Sequence, residues 1–250
     1  MAPVTPHALV VTYHAVHSAP SRVTVTRDRL LEDLLGLGDA GYTFVSLDAV
    51  ADWLDGTHAL PPKAASVTFD DGYASVALEA LPIIDSLKIP AAVFVIAGRL
   101  GQSNRWPGQP AWVPRMALLD VAGVRELDAS GVTIGSHSWS HVRLGSADDA
   151  TRQREIIEAA ALLEDVVQKP VRHFAYPYGE KTPRDVDLAS RRFRTAVTAQ
   201  ARAVTPGCAL HELPRLDAHD VGLASTLGLL GGRAMTPYLT LRRGLRRWLR

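Results

Sequence analysis

The sequence predicts an α/β fold, a (β/α) barrel in a single domain, and three observations carry that prediction. Short apolar runs alternate with segments of helical periodicity, and no internal repeat, low-complexity stretch or linker interrupts them. One run, Ala91-Ala92-Val93-Phe94-Val95-Ile96, is apolar at every position, as a parallel strand covered on both faces should be. The residues best equipped for chemistry, His14, Asp70, Asp71, His137 and Tyr178, each stand at or just past the end of a predicted strand. In a barrel of this kind that edge is where active sites are built. A chain of 250 residues with 47% hydrophobic content can fill one such core.

In order along the chain, residues 8–13 (Ala8-Leu9-Val10-Val11-Thr12-Tyr13) read as the first strand, ending at His14. Residues 27–40 place Leu30, Leu31, Leu34, Leu35 and Leu37 at helical spacing, with Gly41 as the stop. A short strand at 43–45 and a helix at 47–54 precede the apolar strand 64–69, which Gly72 breaks into a turn. A helix over 73–87 and the strand 91–96 follow. Residues 101–114 hold three prolines and two tryptophans, which suits a loop over a site better than a core element. Helices at 116–129 and 148–168 flank a strand that ends at His137. Phe174-Ala175-Tyr176 forms a strand closed by Pro177 and Gly179, and 195–198 and 213–216 are the last two strand candidates. The barrel so outlined covers residues 1–232, leaving 233–250 as a basic amphipathic tail.

The chemistry centres on Asp70-Asp71, with His137 and His141 to partner it. Histidines at i and i+4 would face the same side of one helical turn. One carboxylate and two imidazoles, with positions left for water, make a catalytic metal arrangement and not a closed structural one. The second carboxylate then stays free to act as a base. Taken singly, each feature has a plainer reading: an aspartate that caps the following helix, or an incidental histidine pair. Together they point to a metal-dependent hydrolase. Zinc leads for such a donor set, and cobalt, nickel or iron would suit the same ligands.

Thr68-Phe69-Asp70-Asp71-Gly72, His137-Ser138-Trp139-Ser140-His141 and Phe174-Ala175-Tyr176-Pro177-Tyr178-Gly179 resemble three motifs of the polysaccharide deacetylases, the NodB-homology carbohydrate esterases. Tyr13-His14 and Leu213-Pro214-Arg215 resemble two marks of one branch of that family. The resemblance implies a distorted barrel with fewer than the usual eight strands. It implies Asp71, His137 and His141 as metal ligands, Asp70 as general base, and the backbone N–H of Tyr178 as a donor to the oxyanion. An arginine commonly stands at the position of Ala175 to orient the base; its absence makes Arg215 the substitute. The family's usual acid, a histidine after a leucine near the C-terminus, has only a poor match in Leu216-Asp217-Ala218-His219. Branches that open with Tyr-His supply it from the first strand, so His14 is the expected acid, ahead of His219. The implied reaction is hydrolysis of an N-acetyl group from an amino sugar, in an oligo- or polysaccharide or its lipid- or nucleotide-linked precursor. Hydrolysis of a cyclic amide or a small acylated metabolite is the alternative on the same site. A non-catalytic glycan-binding module fits less well, because Asp70, Asp71, His137 and His141 are all intact. Trp106, Trp112 and Trp139 suit either sugar stacking or packing.

Charge and composition narrow the setting. The formal net charge is +1, yet six of the 27 Lys+Arg and none of the 26 Asp+Glu lie at 221–250. The body is therefore acidic and its end basic, which argues against a nucleic-acid enzyme with a basic face. A single cysteine, Cys208, excludes an intrachain disulfide, and residues 1–6 lack the basic and apolar regions of a secretory signal. The expected location is cytoplasmic. In the tail, Tyr238, Leu241, Leu245, Trp248 and Leu249 share one helical face, opposite Arg242, Arg243, Arg246, Arg247 and Arg250. Such a helix reads either as a peripheral anchor on anionic lipid at the inner membrane or as a packing helix. If it is an anchor, the full chain floats with anionic liposomes at low salt, and a chain ended after Pro237 does not. Each basic residue contributes on the order of 1 kcal/mol there, so flotation should fade steeply with salt. Equal behaviour of the two chains would assign the tail to packing.

Overall fold

The computed structural model describes residues 7–221. The tail at 233–250 lies outside them. Among the described residues ten strands and eight α-helical segments follow one another, beginning with β1 (His7–Tyr13), β2 (Ala15–Val16), β3 (Thr24–Val25), α1 (Arg27–Asp39), β4 (Thr43–Phe44) and α2 (Leu47–Leu54). The central part holds β5 (Lys63–Phe69), α3 (Leu81–Ser86), β6 (Ala91–Val95), α4 (Val121–Ala129), β7 (Thr133–Ser136), α5 (Asp149–Arg152) and α6 (Ala159–Val167). The last part holds β8 (His173–Ala175), α7 (Pro183–Arg192), β9 (Thr195–Val197), β10 (Leu216–Asp217) and α8 (Ala218–Val221).

The main sheet is wholly parallel and runs β10-β1-β5-β6-β7-β8-β9, with β4 as an eighth strand paired to β5. Because β1 pairs β5 along its whole length, β4 and β6 share the other side of β5, one at each end. The curled sheet is a distorted barrel. Its gap lies between β9 and β1 and is crossed by residues 213–217. Leu213 bridges Val197 of β9, and β10 then pairs Val11 and Thr12 of β1.

Alternation along the strands divides the core in two. Leu9, Val11, Val67, Phe69, Val93 and Val95 face the helices, including Leu30, Leu34 and Leu37 of α1. The opposite residues, among them Ala8, Val10, Ala64, Ala92, Phe94 and Ala175, form a separate interior cluster. Four of those six are alanines, and Ser66, Thr12 and Thr68 are buried on the same face. On β1 and β5 this face therefore changes from apolar at Ala8, Val10 and Ala64 to hydroxyl-bearing at Thr12, Ser66 and Thr68 toward the C-terminal edge.

Several elements differ from the pattern reading, each for a local reason. The helix expected over 116–129 starts at Val121, where the Asp120 side chain accepts from Gly123 N at 2.8 Å. Residues before it instead return along the 101–114 loop: Asn104 N donates to Met116 O and Leu118 N to Gln102 O. The helices expected over 73–87 and 148–168 both contain π turns, at Val76–Ala80 and Gln153–Glu158. Helix α7, which the pattern reading does not include, is nucleated by a reciprocal cap between Thr182 and Asp185 with Pro183 in the first turn. Residues 137–141 are not helical at all. Among the described residues, no helix is long and apolar enough to cross a membrane.

Candidate active site

All seven residues singled out above, His14, Asp70, Asp71, His137, His141, Tyr178 and Arg215, line one cavity of about 200 Å³. It opens at the C-terminal edge of the sheet, as strand ends at Tyr13, Phe69, Ser136 and Ala175 require.

Asp70 continues the β1–β5 pairing, its N–H donating to Tyr13 O at 2.9 Å. The chain then reverses through two left-handed residues, Asp71 (φ 69°) and Gly72 (φ 68°). Only glycine suits the second: a Cβ there would lie 3.3 Å from Val95 Cα. Asp71 is not the cap of the helix that follows, whose first helical residue is Ala74, three positions on. Its Oδ1 lies 3.3 Å from Nε2 of both His137 and His141. That oxygen is buried without a hydrogen-bond partner, and unpaired buried carboxylate oxygens are costly unless something else takes their charge. His137 is set by its other nitrogen: Nδ1 donates to Ala175 O at 2.8 Å, which leaves Nε2 with its lone pair toward Asp71.

Charges in the cluster follow from this packing. Burial alone would raise the Asp71 carboxyl, but His141 and His137 outweigh it and hold it well below the usual carboxylate range. Burial pushes the His141 imidazole down, toward the neutral form a ligand needs, despite Asp71 beside it. The His137 imidazole is instead raised, because Asp70 and Asp71 together overcome its burial. An anionic oxygen and two imidazole nitrogens within 4.8 Å of one another, all buried, are a donor set that fits a divalent cation.

The histidine spacing suggested a helical turn, and the structure corrects it. His137 and His141 converge through a loop with Ser138 (φ 66°) and His141 (φ 63°) in the left-handed region. The His141 ring is clamped between Trp106 and Tyr178, each centred 4.6 Å away. Of the three tryptophans, Trp106 alone lines the cavity; Trp112 is 58% exposed, and Trp139 packs under Arg154.

Asp70 lies against Arg215. The guanidinium donates through Nη1 and Nη2 to its two oxygens at 2.7 and 2.6 Å. Its remaining donors reach Thr198 O, Thr12 Oγ1 and Thr68 Oγ1, and its face lies over Phe94 inside the barrel. Burial alone would raise the Asp70 carboxyl, but Arg215, aided by His137 and His14, holds it below the usual range. Ala175 belongs to the interior cluster below this pair, so the guanidinium that fills the interior comes from the closing segment and not from β8. His14 lines the cavity, whereas His219 lies in a separate groove with His17 and Arg29. Tyr178 (φ 60°) and Gly179 (φ 69°) form a tight turn, and a Cβ at Gly179 would strike Ala199 at 2.4 Å. Thr12, Gln109 and Asp217 also line the cavity, and no short motif marks them.

A polysaccharide deacetylase family model matches residues 57–194, more than half of the chain. This chain belongs to the polysaccharide deacetylase family. Among its relatives, the Bacillus subtilis (strain 168) protein YxkH is 21% identical over 208 residues, 83% of this chain and 70% of that one. The poly-β-1,6-N-acetyl-D-glucosamine N-deacetylase of Staphylococcus aureus (strain MRSA252) is 23% identical over 166 residues, covering 62% of this chain. The chain spans only 54% of that relative's length. The solved structure of IcaB from Ammonifex degensii superposes with a TM-score of 0.75 at 26% identity, over 90% of this chain and 96% of that one.

Replacing Arg215 tests its hold on Asp70. Arg215→Met leaves a buried carboxylate without its cation, a change that costs about 3–5 kcal/mol of stability. Burial then acts unopposed and raises the carboxyl, so the acid limb of the pH–rate profile moves to higher pH. In the wild type the pair stabilises the fold fully above about pH 3.9 and loses that contribution as pH falls through the depressed value. Denaturant midpoints and kcat/KM against pH read both effects. An acid limb that stays in place would separate Arg215 from the ionisation of Asp70.

Proposed function

We propose that this protein removes N-linked acetyl groups from amino sugars of a polysaccharide, releasing acetate and leaving the free amine. One observation carries the reading: two adjacent carboxylates at one strand end are held in opposite ways. Asp71 faces two imidazoles with an unpaired oxygen, and Asp70 is bonded on both oxygens to a guanidinium. That is the division of labour a metal-dependent hydrolase needs, with one carboxylate to bind the cation and one to move a proton. Family membership supplies the substrate class. The substrate named for the staphylococcal relative, poly-β-1,6-N-acetyl-D-glucosamine, is the first polymer to try.

Asp71, His137 and His141 would hold the metal, with zinc the leading choice and cobalt, nickel or iron as alternatives. A divalent ion there supplies Lewis-acid polarisation of the acyl oxygen and a water of lowered pKa. Asp70, kept ionised by Arg215, accepts the proton of the attacking water as its oxygen joins the acyl carbon. The Tyr178 N–H donates to the oxygen that gains charge, from a turn made rigid by Pro177 and Gly179. His14 gives a proton to the nitrogen as the C–N bond breaks, which lets it leave as a neutral amine. Trp106 and the Tyr178 ring wall the cavity and limit water around the acyl group.

The test is acetate release from β-1,6-linked N-acetylglucosamine oligomers, before and after chelation and after return of zinc or cobalt. Activity should vanish with the chelator and return with metal. Asp70→Asn should keep the metal and lose on the order of 10² to 10⁴ in rate, and His14→Ala should impair turnover far more than His219→Ala. Undiminished acetate release from metal-free protein would sink the metal-centre reading. Loss of the metal from Asp70→Asn, with turnover intact after reconstitution, would exchange the two aspartate roles.

A further inference from the structure

Glu155 is buried, 3% exposed, and no cation forms an ion pair with it among the described residues. Its carboxylate is aimed at the loop that carries the two histidines. Oε2 accepts from Trp139 N at 3.0 Å and Ser140 N at 2.9 Å, and Oε1 accepts from Ser140 Oγ at 2.5 Å. The same loop is held from its other side by the segment after β6: Ala97 N donates to Ser138 O and Gly98 N to Trp139 O. Gly98 has no room for a side chain, since a Cβ would lie 2.4 Å from Trp139 Nε1. His137 N donates to Val95 O, and His141 N to Ser138 Oγ at 3.0 Å.

The two histidines depend on this loop to different degrees. His137 is oriented by its own side chain, through Nδ1 and Ala175 O. The Nδ1 of His141 is buried and meets no hydrogen-bond partner. The direction of the second imidazole is therefore set by its aromatic neighbours and by the backbone that delivers it. That backbone passes through left-handed conformations at Ser138 and His141, which persist only where surrounding contacts impose them. Glu155 supplies three of those contacts. It sits in the π turn Gln153–Glu158, an irregularity often found at functional sites. The turn before it is tied down by Arg152, whose Nε donates to the fully buried Asp185 at 2.7 Å.

We infer that Glu155 is a positioning residue for the metal centre, fixing His141 through the 138–140 backbone. The inference rests on the metal-centre reading of Asp71, His137 and His141. A purely structural anchor would change stability and nothing else; a positioning residue changes the affinity of the folded protein for metal.

The experiment is a chelator-competition titration with zinc alone on wild type, Glu155→Ala, Glu155→Asp and Glu155→Gln, with thermal unfolding of the metal-free proteins alongside. Glu155→Ala strands three donors and should weaken zinc binding by roughly 10- to 100-fold, the range for outer partners of metal ligands. Glu155→Asp keeps the charge but draws it back by one methylene, and should also bind more weakly; it carries the comparison if Glu155→Ala fails to fold. Glu155→Gln keeps an acceptor for both N–H groups and can donate to Ser140 Oγ, so its affinity should stay close to wild type. Wild-type zinc affinity in Glu155→Ala and Glu155→Asp, whatever their melting temperatures, overturns the inference and leaves the metal centre standing. Glu155→Gln as weak as Glu155→Ala would place the effect in the charge and overturn the anchoring. A wild type that binds no zinc or other divalent ion removes the metal-centre reading itself.

Discussion

Arg215 meets Asp70 through two parallel hydrogen bonds inside the barrel, and most of the architecture is arranged around that contact. A buried guanidinium is tolerated only when its donors are paired. Here they are divided among a carboxylate, a backbone carbonyl and two threonine hydroxyls. The guanidinium lies over Phe94, in an interior cluster that also holds the small side chains of Ala92 and Ala175. Thr12 and Thr68, opposite each other on β1 and β5, give it polar company where an apolar strand pair would give none. The same contact pins residues 213–217 across the gap between β9 and β1, so the segment that closes the barrel also brings Asp70 its countercharge. A bidentate fork also restrains the carboxylate plane, which a lysine could not do from the same place.

Around that pair the site divides its charges by environment. Asp70 and Asp71 are neighbours in sequence and equally buried, yet one spends both oxygens on a guanidinium and the other keeps an oxygen unpaired between two imidazoles. The left-handed turn at Asp71 and Gly72 makes this possible, because it sends consecutive side chains to different partners. The histidines differ as well: Asp70 and Asp71 raise one, and burial lowers the other. Position in the fold, more than residue type, decides what each group can do.

The strand ends at His14, Asp70 and His137 were legible because apolar runs stop abruptly at polar residues, and the motifs gave the donor set. The shape of the His137 to His141 loop was not legible. It depends on Gly98 and Glu155, which contact it across the fold and leave no mark at i, i+4 spacing. Glu155 itself reads as one acid on a helical stretch, and its inward aim follows from a π turn that periodicity does not reveal. Helix α7 shows the opposite case. Its apolar residues are few, but Thr182, Pro183 and Asp185 spell out a helix start that local rules can find. Arg215 stood out as a substitute for an arginine at Ala175, and the geometry gives the reason: both positions reach the same interior volume, one from β8 and one from the closing segment.

That closing segment also sets the order in which the site can be assembled. Asp71, His137 and His141 lie between positions 71 and 141, just past the ends of β5 and β7. Asp70 adjoins that same stretch, but His14 and Arg215 come from the two ends, with Arg215 separated by 145 positions from Asp70 and by 203 from Thr12. Contacts that distant form only after a large loss of chain freedom. During synthesis Asp71, His137 and His141 are therefore all in the chain well before Arg215 is added. The pairing of Asp70 must wait for the end of the chain to dock, so this buried carboxylate is among the last groups of the cavity to find its partner.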